Sequence, residues 1–434
     1  MLGERVAVSF CGSNIEAISD LSMATELINA GLGNQRSRIM QNYKEGDISV
    51  NKTKQLLTGV LMWILGVGSA MADYTLNMPV GVTKISREVY DLHMLVIWIC
   101  LGIGIVVFGV MAYSFVYHRK SQGAVPAKFH ESAKVEMLWT IIPFIILIGM
   151  AIPATKTMME LDDANGAEMT IKITGYQWKW RYDYLDDEFG FMSNLAAQDN
   201  AARQLGSGID PKSIENYLLN VDNPLVIPVD TKIRFLLTSA DVLHAWWVPE
   251  LGWKKDTVPG FINESWTLVE KPGTYRGQCA ELCGKDHGFM PIVVVAKSKQ
   301  DYANWVSEQQ AEAKAIAESV DKIWTEDELM AKGEEVYNAN CASCHQINGD
   351  GIPDTFPAIK DSAIATGDVD EHINIALNGK GAMMPAFASM LSASELAAVI
   401  TYQRNAFGNE MEDYIQPSEI KPLINNIEAD ADDE

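Results

Sequence analysis

Two short segments carry residue types that bind metals, and their spacing says which. The first runs Cys279-Ala-Glu-Leu-Cys283-Gly-Lys-Asp-His287-Gly-Phe-Met290, with His244 well upstream. Two histidines, a thiolate and a weakly held methionine are the donor set of a copper electron-transfer site, where the soft sulfur favours copper. Cys279 is surplus to that set. A second thiolate lets two sulfurs bridge two copper ions, each capped by one histidine. Met290 then serves as the weak ligand on one ion, and a backbone carbonyl between the cysteines is open to the other. Such a pair delocalises one electron, which keeps reorganisation small on transfer. Two readings compete on the residues alone: a Cys279–Cys283 disulfide, which suits an exported domain, and a zinc site. Neither uses a methionine three residues beyond His287, nor the aromatic cluster that His244 heads, His244-Ala-Trp246-Trp247.

The second segment is Cys341-Ala-Ser-Cys344-His345, the Cys-x-x-Cys-His attachment motif of c-type haem. Both thiols become thioethers on the porphyrin, and the adjacent histidine is the proximal iron ligand. A methionine as sixth ligand raises the potential and closes the iron to oxygen. Asn378-Gly-Lys-Gly-Ala-Met383-Met384-Pro385 offers a candidate downstream. The bland alternative is a Cys341–Cys344 disulfide. Of the six cysteines, Cys100 falls in an apolar run and Cys11 near the start, so the copper and haem readings leave no pair for a structural disulfide. His372 follows a run of acids and reads as a surface residue with no role.

Both centres need a frame. Thr170 to Thr174, Lys232 to Leu236 and Ile292 to Ala296 read as strands. Asn223-Pro224, Pro259-Gly260 and Pro272-Gly273 separate them, so residues 165–298 are predicted to form an antiparallel β-sandwich or barrel. Residues 299–325, rich in Ala, Glu and Lys, read as a helical linker. Residues 326–408 form the haem domain and 409–434 an acidic tail.

Upstream, Leu92 to Tyr117 and Met137 to Ala154 are each long and apolar enough to cross a membrane. They make a hairpin over residues 85–158, with His118, Arg119, Lys120, Lys128 and Lys134 in its loop. That basic loop belongs on the cytoplasmic side. The copper and haem segments then face the periplasm, or outer side, of a bacterial inner membrane. Lys52 and Lys54, the apolar run Leu56 to Val67, and Ala70-Met71-Ala72 have the parts of a secretory signal with cleavage after Ala72. Residues 1–72 are therefore an extension plus a cleavable signal, and translation from Met40 would give a signal of ordinary length.

The net charge is −23 over 434 residues, which argues against a nucleic-acid partner. It is unevenly spread: residues 1–72 are neutral, 73–160 carry +1, 161–298 carry −6 and 299–434 carry −18. Solubility accounts for such an acidic end, and so does steering of a basic donor.

The stretch from Leu237-Thr-Ser-Ala-Asp-Val-Leu-His244 through Pro259-Gly260 to Gln278-Cys279 and on to Met290-Pro291 resembles subunit II of haem–copper cytochrome c oxidases. The hairpin and Gly175-Tyr-Gln-Trp178-Lys-Trp180 are similar to that family too, so the likeness covers about residues 85 to 300. It implies a multidomain chain: a two-helix transmembrane hairpin, an all-β cupredoxin-like Greek-key domain and an all-α cytochrome c domain. It also implies a dinuclear Cu(A) centre held by Cys279, Cys283, His244, His287, Met290 and the Glu281 carbonyl. The Glu281 carboxylate is implied to reach a magnesium ion at the contact with subunit I. Glu136 matches the mouth of a proton channel into subunit I, against a bland reading as an interfacial carboxylate. Trp178 matches the residue that takes electrons from an external cytochrome c, against a bland reading as a packed aromatic. Tyr176 departs from the histidine often found before that Gln-Trp pair.

Residues 328–408 resemble a small class I cytochrome c, whose distal methionine stands directly before proline. That selects Met384 over Met383 and Met390. The Leu396 to Tyr402 stretch is implied to pack on the helix carrying Gly333 and Tyr337. Together these likenesses imply the electron-receiving subunit of a caa3-type oxidase, working with subunits I and III. Electrons would run from a donor cytochrome to covalent haem c, to Cu(A), then to haem a of subunit I for reduction of O2 with proton pumping. The alternative is a membrane-anchored copper and haem carrier that serves a different reductase.

Overall fold

The computed structural model describes residues 77–432 apart from 127, 129, 205, 382 and 383, together with residue 59. The expected signal, its cleavage point, Cys11 and Met383 lie outside the described residues. Two helices, α1 (Lys84–Tyr117) and α2 (Ala133–Leu161), contain the two apolar runs and extend past them. At 1.5 Å per residue they are about 50 and 43 Å long, more than the ~30 Å hydrocarbon core requires. Their side chains face outward: only Ile85, Ser86 and Thr157 are buried, while Phe108 is 69% and Phe115 73% exposed. Apolar surface this continuous suits lipid rather than water.

The surplus length at the outer ends is fastened to the β domain. Thr83 closes a capping box with Ser86 at the start of α1, and its hydroxyl donates to the Leu251 carbonyl at 3.0 Å. Arg87 pairs with Glu270 at 2.7 Å, and the Trp266 indole donates to the Glu160 carbonyl of α2 at 3.0 Å.

The β domain has ten strands: β1 (Met169–Tyr176), β2 (Lys179–Tyr184), β3 (Phe189–Ser193), β4 (Leu225–Pro228), β5 (Ile233–Ser239), β6 (His244–Val248), β7 (Trp253–Thr257), β8 (Asn263–Thr267), β9 (Gly273–Gln278) and β10 (Pro291–Lys297). They make a five-stranded sheet in the order β3-β2-β1-β5-β8, a three-stranded sheet β4-β10-β9, and the pair β6-β7. The expected all-antiparallel arrangement needs correcting, because β1 runs parallel to β5 and β4 parallel to β10. Between β1 and β5 the chain makes a long excursion through β2, β3, the short helix α3 (Ala197–Ala202) and β4. A connection that long allows parallel pairing, which a tight hairpin does not. Alternation fixes the core: Ile233, Phe235 and Leu237 of β5 point inward with Trp180, Tyr182 and Trp246, all 0% exposed.

The expected linker contains a helix, α4 (Lys299–Glu318), whose first turns lie on the β domain. Trp305 meets the rings of Tyr184, Phe189 and Phe191 at 5.4, 5.5 and 6.2 Å. Beyond it come α5 (Glu326–Asn340), α6 (Ala342–His345), α7 (Val369–Asn378), α8 (Ala393–Asn405) and α9 (Pro417–Asp432). Helix α8 packs on α5 as the resemblance implied. A Cβ on Gly333 would strike the Ala398 carbonyl and the Tyr402 side chain, so glycine is what lets the two helices close.

Two expectations need correction here. His372 is 4% exposed, not a surface residue. It shares a face of α7 with Ile373, Ala376 and Leu377, while the neighbouring acids sit in the first turn, where the helix dipole favours them. Its Nε2 lies 2.8 Å from Gln403 Oε1, and burial pushes the ring down to about 4. The acidic tail is also structured. Ile415 and Ile420 are 3% and 0% exposed, and Ile424 and Ile427 pack on the same cluster, so helical spacing turns an acidic segment into part of the core. Ile420→Ala should therefore cost about 2–5 kcal/mol, the range for emptying a buried aliphatic site. Thermal unfolding of the haem domain is the check, and an unshifted transition would return the segment to a dangling tail.

Candidate metal centres

Cys279 follows the end of β9, and Cys283, His287 and Met290 line the loop that leads into β10. His244 opens β6. The loop is tied to β6 by the Ala280 amide, which donates to the Ala245 carbonyl at 3.0 Å. The two sulfurs stand 3.8 Å apart, far beyond the ~2.05 Å of a disulfide. His244 Nδ1 is 3.9 Å from Cys279 Sγ, and His287 Nδ1 is 3.4 Å from Cys283 Sγ. Met290 Sδ is 3.5 Å from Cys283 Sγ, and the Glu281 carbonyl is 3.3 Å from Cys279 Sγ. Each sulfur thus has its own histidine, and the two weak donors fall on opposite sulfurs. His244, Cys279, Cys283 and Met290 are all at most 4% exposed.

The thiols share their protons unevenly. The hydrogen bond from Cys283 draws the Cys279 thiol well down, while the same bond, then burial, pushes Cys283 well up. Cys279 and Cys283 would hold a metal as thiolates, each giving up its proton. The donor set and its spacing fit a pair of copper ions better than a disulfide or a tetrahedral zinc, because Met290 and a carbonyl complete the ring of sulfur and nitrogen.

Asp241 went unnoticed in the sequence, although an acid three residues before a ligand histidine is a readable sign. Its Oδ1 lies 3.0 Å from His244 Nε2, which leaves Nδ1 facing the sulfurs. The same carboxylate accepts from the Gln177 and Val242 amides, both at 2.6 Å. Burial opposes its charge, but these hydrogen bonds outweigh burial and hold the carboxyl below its ordinary value. Close approach adds a requirement: a Cβ on Gly175 would come within 2.8 Å of the His244 ring.

Trp178 is 8% exposed, and its indole donates to the Cys283 carbonyl at 3.0 Å. Gln177 Nε2 donates to the same oxygen at 2.9 Å. Glu281 is exposed, with its carboxylate outside the ligand cluster. Glu136 is exposed in the first turn of α2, far along the chain from the metal loop, where its Oε1 accepts from the Ser132 amide at 3.2 Å.

In the haem segment Cys341 and Cys344 are free thiols on α6 and the turn before it. His345 Nδ1 lies 2.8 Å from the Pro357 carbonyl. Donation there commits Nδ1 to hydrogen bonding and leaves Nε2 as the nitrogen that would bind a haem iron, the usual way a ligand histidine is oriented. Met384 packs on the apolar cluster that holds Cys341, and Gln403 Nε2 lies 3.7 Å from Cys341 Sγ. Unbridged thiols, an oriented histidine and a nearby methionine fit a covalent haem.

Comparison with known proteins divides the chain in the same way. Residues 71–157 match the family model for the transmembrane domain of cytochrome c oxidase subunit II, and residues 169–297 that for its periplasmic domain. Residues 328–402 match the model for subunit III of cbb3-type cytochrome c oxidase. The probable cytochrome c oxidase subunit 2 of Rickettsia prowazekii is 41% identical over 226 residues, which is 52% of this chain and 69% of that protein. Cytochrome c oxidase subunit 2 of Arabidopsis thaliana is 36% identical over 258 residues, covering 58% of this chain and 96% of that one. Among solved structures, the periplasmic domain of subunit II from Bradyrhizobium japonicum is 40% identical, covers 34% of this chain and 98% of its own, and has a TM-score of 0.30. With a two-helix membrane hairpin, a β domain that gathers two thiols, two histidines and a methionine, and a haem-attachment domain behind it, the chain belongs to the cytochrome c oxidase subunit II family.

Proposed function

We propose that this chain receives electrons for a haem–copper terminal oxidase of the caa3 type, through a fused cytochrome c domain. Cys279, Cys283, His244, His287, Met290 and the Glu281 carbonyl are the ligands of dinuclear Cu(A). Cys341, Cys344, His345 and Met384 hold haem c. When bound, these groups supply the one-electron chemistry that feeds haem a of subunit I, where O2 is reduced with proton pumping. The observation that carries this reading is the pair of sulfurs 3.8 Å apart, each flanked by its own histidine nitrogen.

The chain's own residues do the rest. Asp241 keeps His244 in one tautomer and orientation. Trp178 grips the carbonyl of Cys283 and lies in the seam beneath the haem domain, so it passes electrons from the fused haem and is closed to a diffusing cytochrome. An external donor therefore docks on the haem domain, whose segment carries the charge of −18. Glu281 presents its carboxylate toward subunit I and a magnesium ion there. Glu136 sits at the cytoplasmic end of α2 and opens a proton path into subunit I. The domains stand on the periplasmic face of a bacterial inner membrane, with subunits I and III as partners.

Metal analysis of the purified complex should give about two copper per covalent haem, as paired bridging thiolates require; one copper per haem would reduce the site to a mononuclear centre. Asp241→Asn should weaken copper retention against a chelator about 10–100-fold, the range for loss of a partner that orients a ligand histidine. Equal retention would remove Asp241 from the account. Oxidation of a basic donor cytochrome should slow steeply with rising ionic strength. A flat salt profile would leave the acidic segment with solubility alone.

A further inference from the structure

Part of the seam between the copper and haem domains is apolar, and two lysines reach across it. Tyr176 and Met192 of the β domain join the cluster that holds Val336, Tyr337, Cys341 and Phe387. Cys344 and Phe356 pack in turn against the β domain's core. A lysine beside such a surface ordinarily runs its stem along it and leaves the ammonium in water. Lys179 does otherwise. It is 4% exposed, its Nζ donates to Asn340 Oδ1 at 2.7 Å, and it stands 5.3 Å from the centre of the Phe387 ring.

Asn340 immediately precedes Cys341, and Phe387 follows Met384-Pro385. Placing an ammonium against a neutral amide and a ring rather than a carboxylate is costly, and burial pushes its pKa down to about 8. The second lysine, Lys285, lies between Cys283 and His287. Its Nζ donates to the carbonyl of Ser343, between the two haem cysteines, at 2.7 Å. Each lysine thus leaves the β domain beside a copper-site residue, Trp178 or Cys283, and lands on the haem-attachment segment.

We propose that Lys179 and Lys285 are positioning residues that clamp the Cys341–Cys344 segment onto the copper loop, fixing one docked arrangement with Trp178 sealed between the centres. A tethered haem domain without such contacts would swing on its linker and dock by diffusion. A clamped one transfers electrons within the chain at a rate indifferent to salt. Lys179 also puts a positive charge beside the thioether position at Cys341, which favours the reduced, less positive haem. The clamp presupposes the copper and haem assignments above, so copper and covalent-haem contents are measured alongside; their loss in the wild-type complex would count against those assignments and not against the clamp.

The test uses the assembled complex with K179M, K285M and the double variant. Amide hydrogen exchange over residues 338–345 should rise about tenfold or more in K285M and further in the double variant, as expected for losing hydrogen bonds to a charged group. The haem midpoint potential should fall in K179M and stay put in K285M, a split that mere loss of packing would not produce. Electron transfer from haem to copper after a flash should slow about tenfold in the double variant and become salt-dependent, with K285R restoring the K285M defect. Should K179M fail to load haem, K285E keeps the test alive, since Lys285 is exposed and charge reversal there should raise exchange at residues 342–345. Wild-type exchange, potential and transfer rate in the double variant, or unchanged exchange in K285E, would overturn the clamp.

Discussion

Two thiol sulfurs held 3.8 Å apart without bonding are the constraint on which the rest of the structure turns. A pair this close is under electrostatic tension, because ionising one opposes ionising the other. Bound cations would relieve that tension, and the protein's task is to keep the sulfurs from either collapsing into a disulfide or separating. The loop does so by fixing its backbone at both ends. The Ala280 amide ties the first turn to β6, and Trp178 with Gln177 grips the Cys283 carbonyl. Beside them Arg203 reaches the buried Asp286 at 3.1 Å and stacks on Phe289, closing the far side. Gly284 supports the turn with φ of +114°, in the region that favours glycine.

The same loop is the floor of the seam with the haem domain, so one set of contacts serves both centres. Trp178 is packed in the β domain's core and hydrogen-bonded to the copper loop, and its neighbours Tyr176 and Lys179 face the haem segment. Tyr176 gives that face a ring to bury against the fused domain. At the other end of the β domain, Thr83, Arg87 and Glu160 join it to the membrane helices. The β domain is therefore fastened both to the two long helices and to the haem segment.

Much of this was legible from residue types and spacing. Cys-x-x-x-Cys followed by His and Met is a donor set few other functions need, and Cys-x-x-Cys-His is similarly selective. The apolar runs in α1 and α2, and the alternation in β1, β5 and β10, marked the elements correctly in kind. What the sequence hid is what depends on packing. His372 looked exposed because it follows acids, but those acids belong to a helix cap and the histidine to the inner face. The last segment looked like a tail because its charge masked isoleucines at helical spacing. Asp241 stands three residues before His244 and was there to be read, whereas Lys179 acts through a contact with Asn340 made across a long stretch of chain, which single-chain pattern reading does not see. Parallel pairing of β1 with β5 was hidden for the same reason.

In the proposed centre Cys279 and Cys283 would bridge two copper ions that share one electron. Electron paramagnetic resonance of the oxidised complex reads this directly through copper hyperfine structure. One electron spread over both nuclei splits into the pattern of two equivalent coppers, with each splitting smaller than for a single ion. The pattern of one isolated copper nucleus, or a copper-free domain with Cys279 and Cys283 disulfide-bonded, would contradict it.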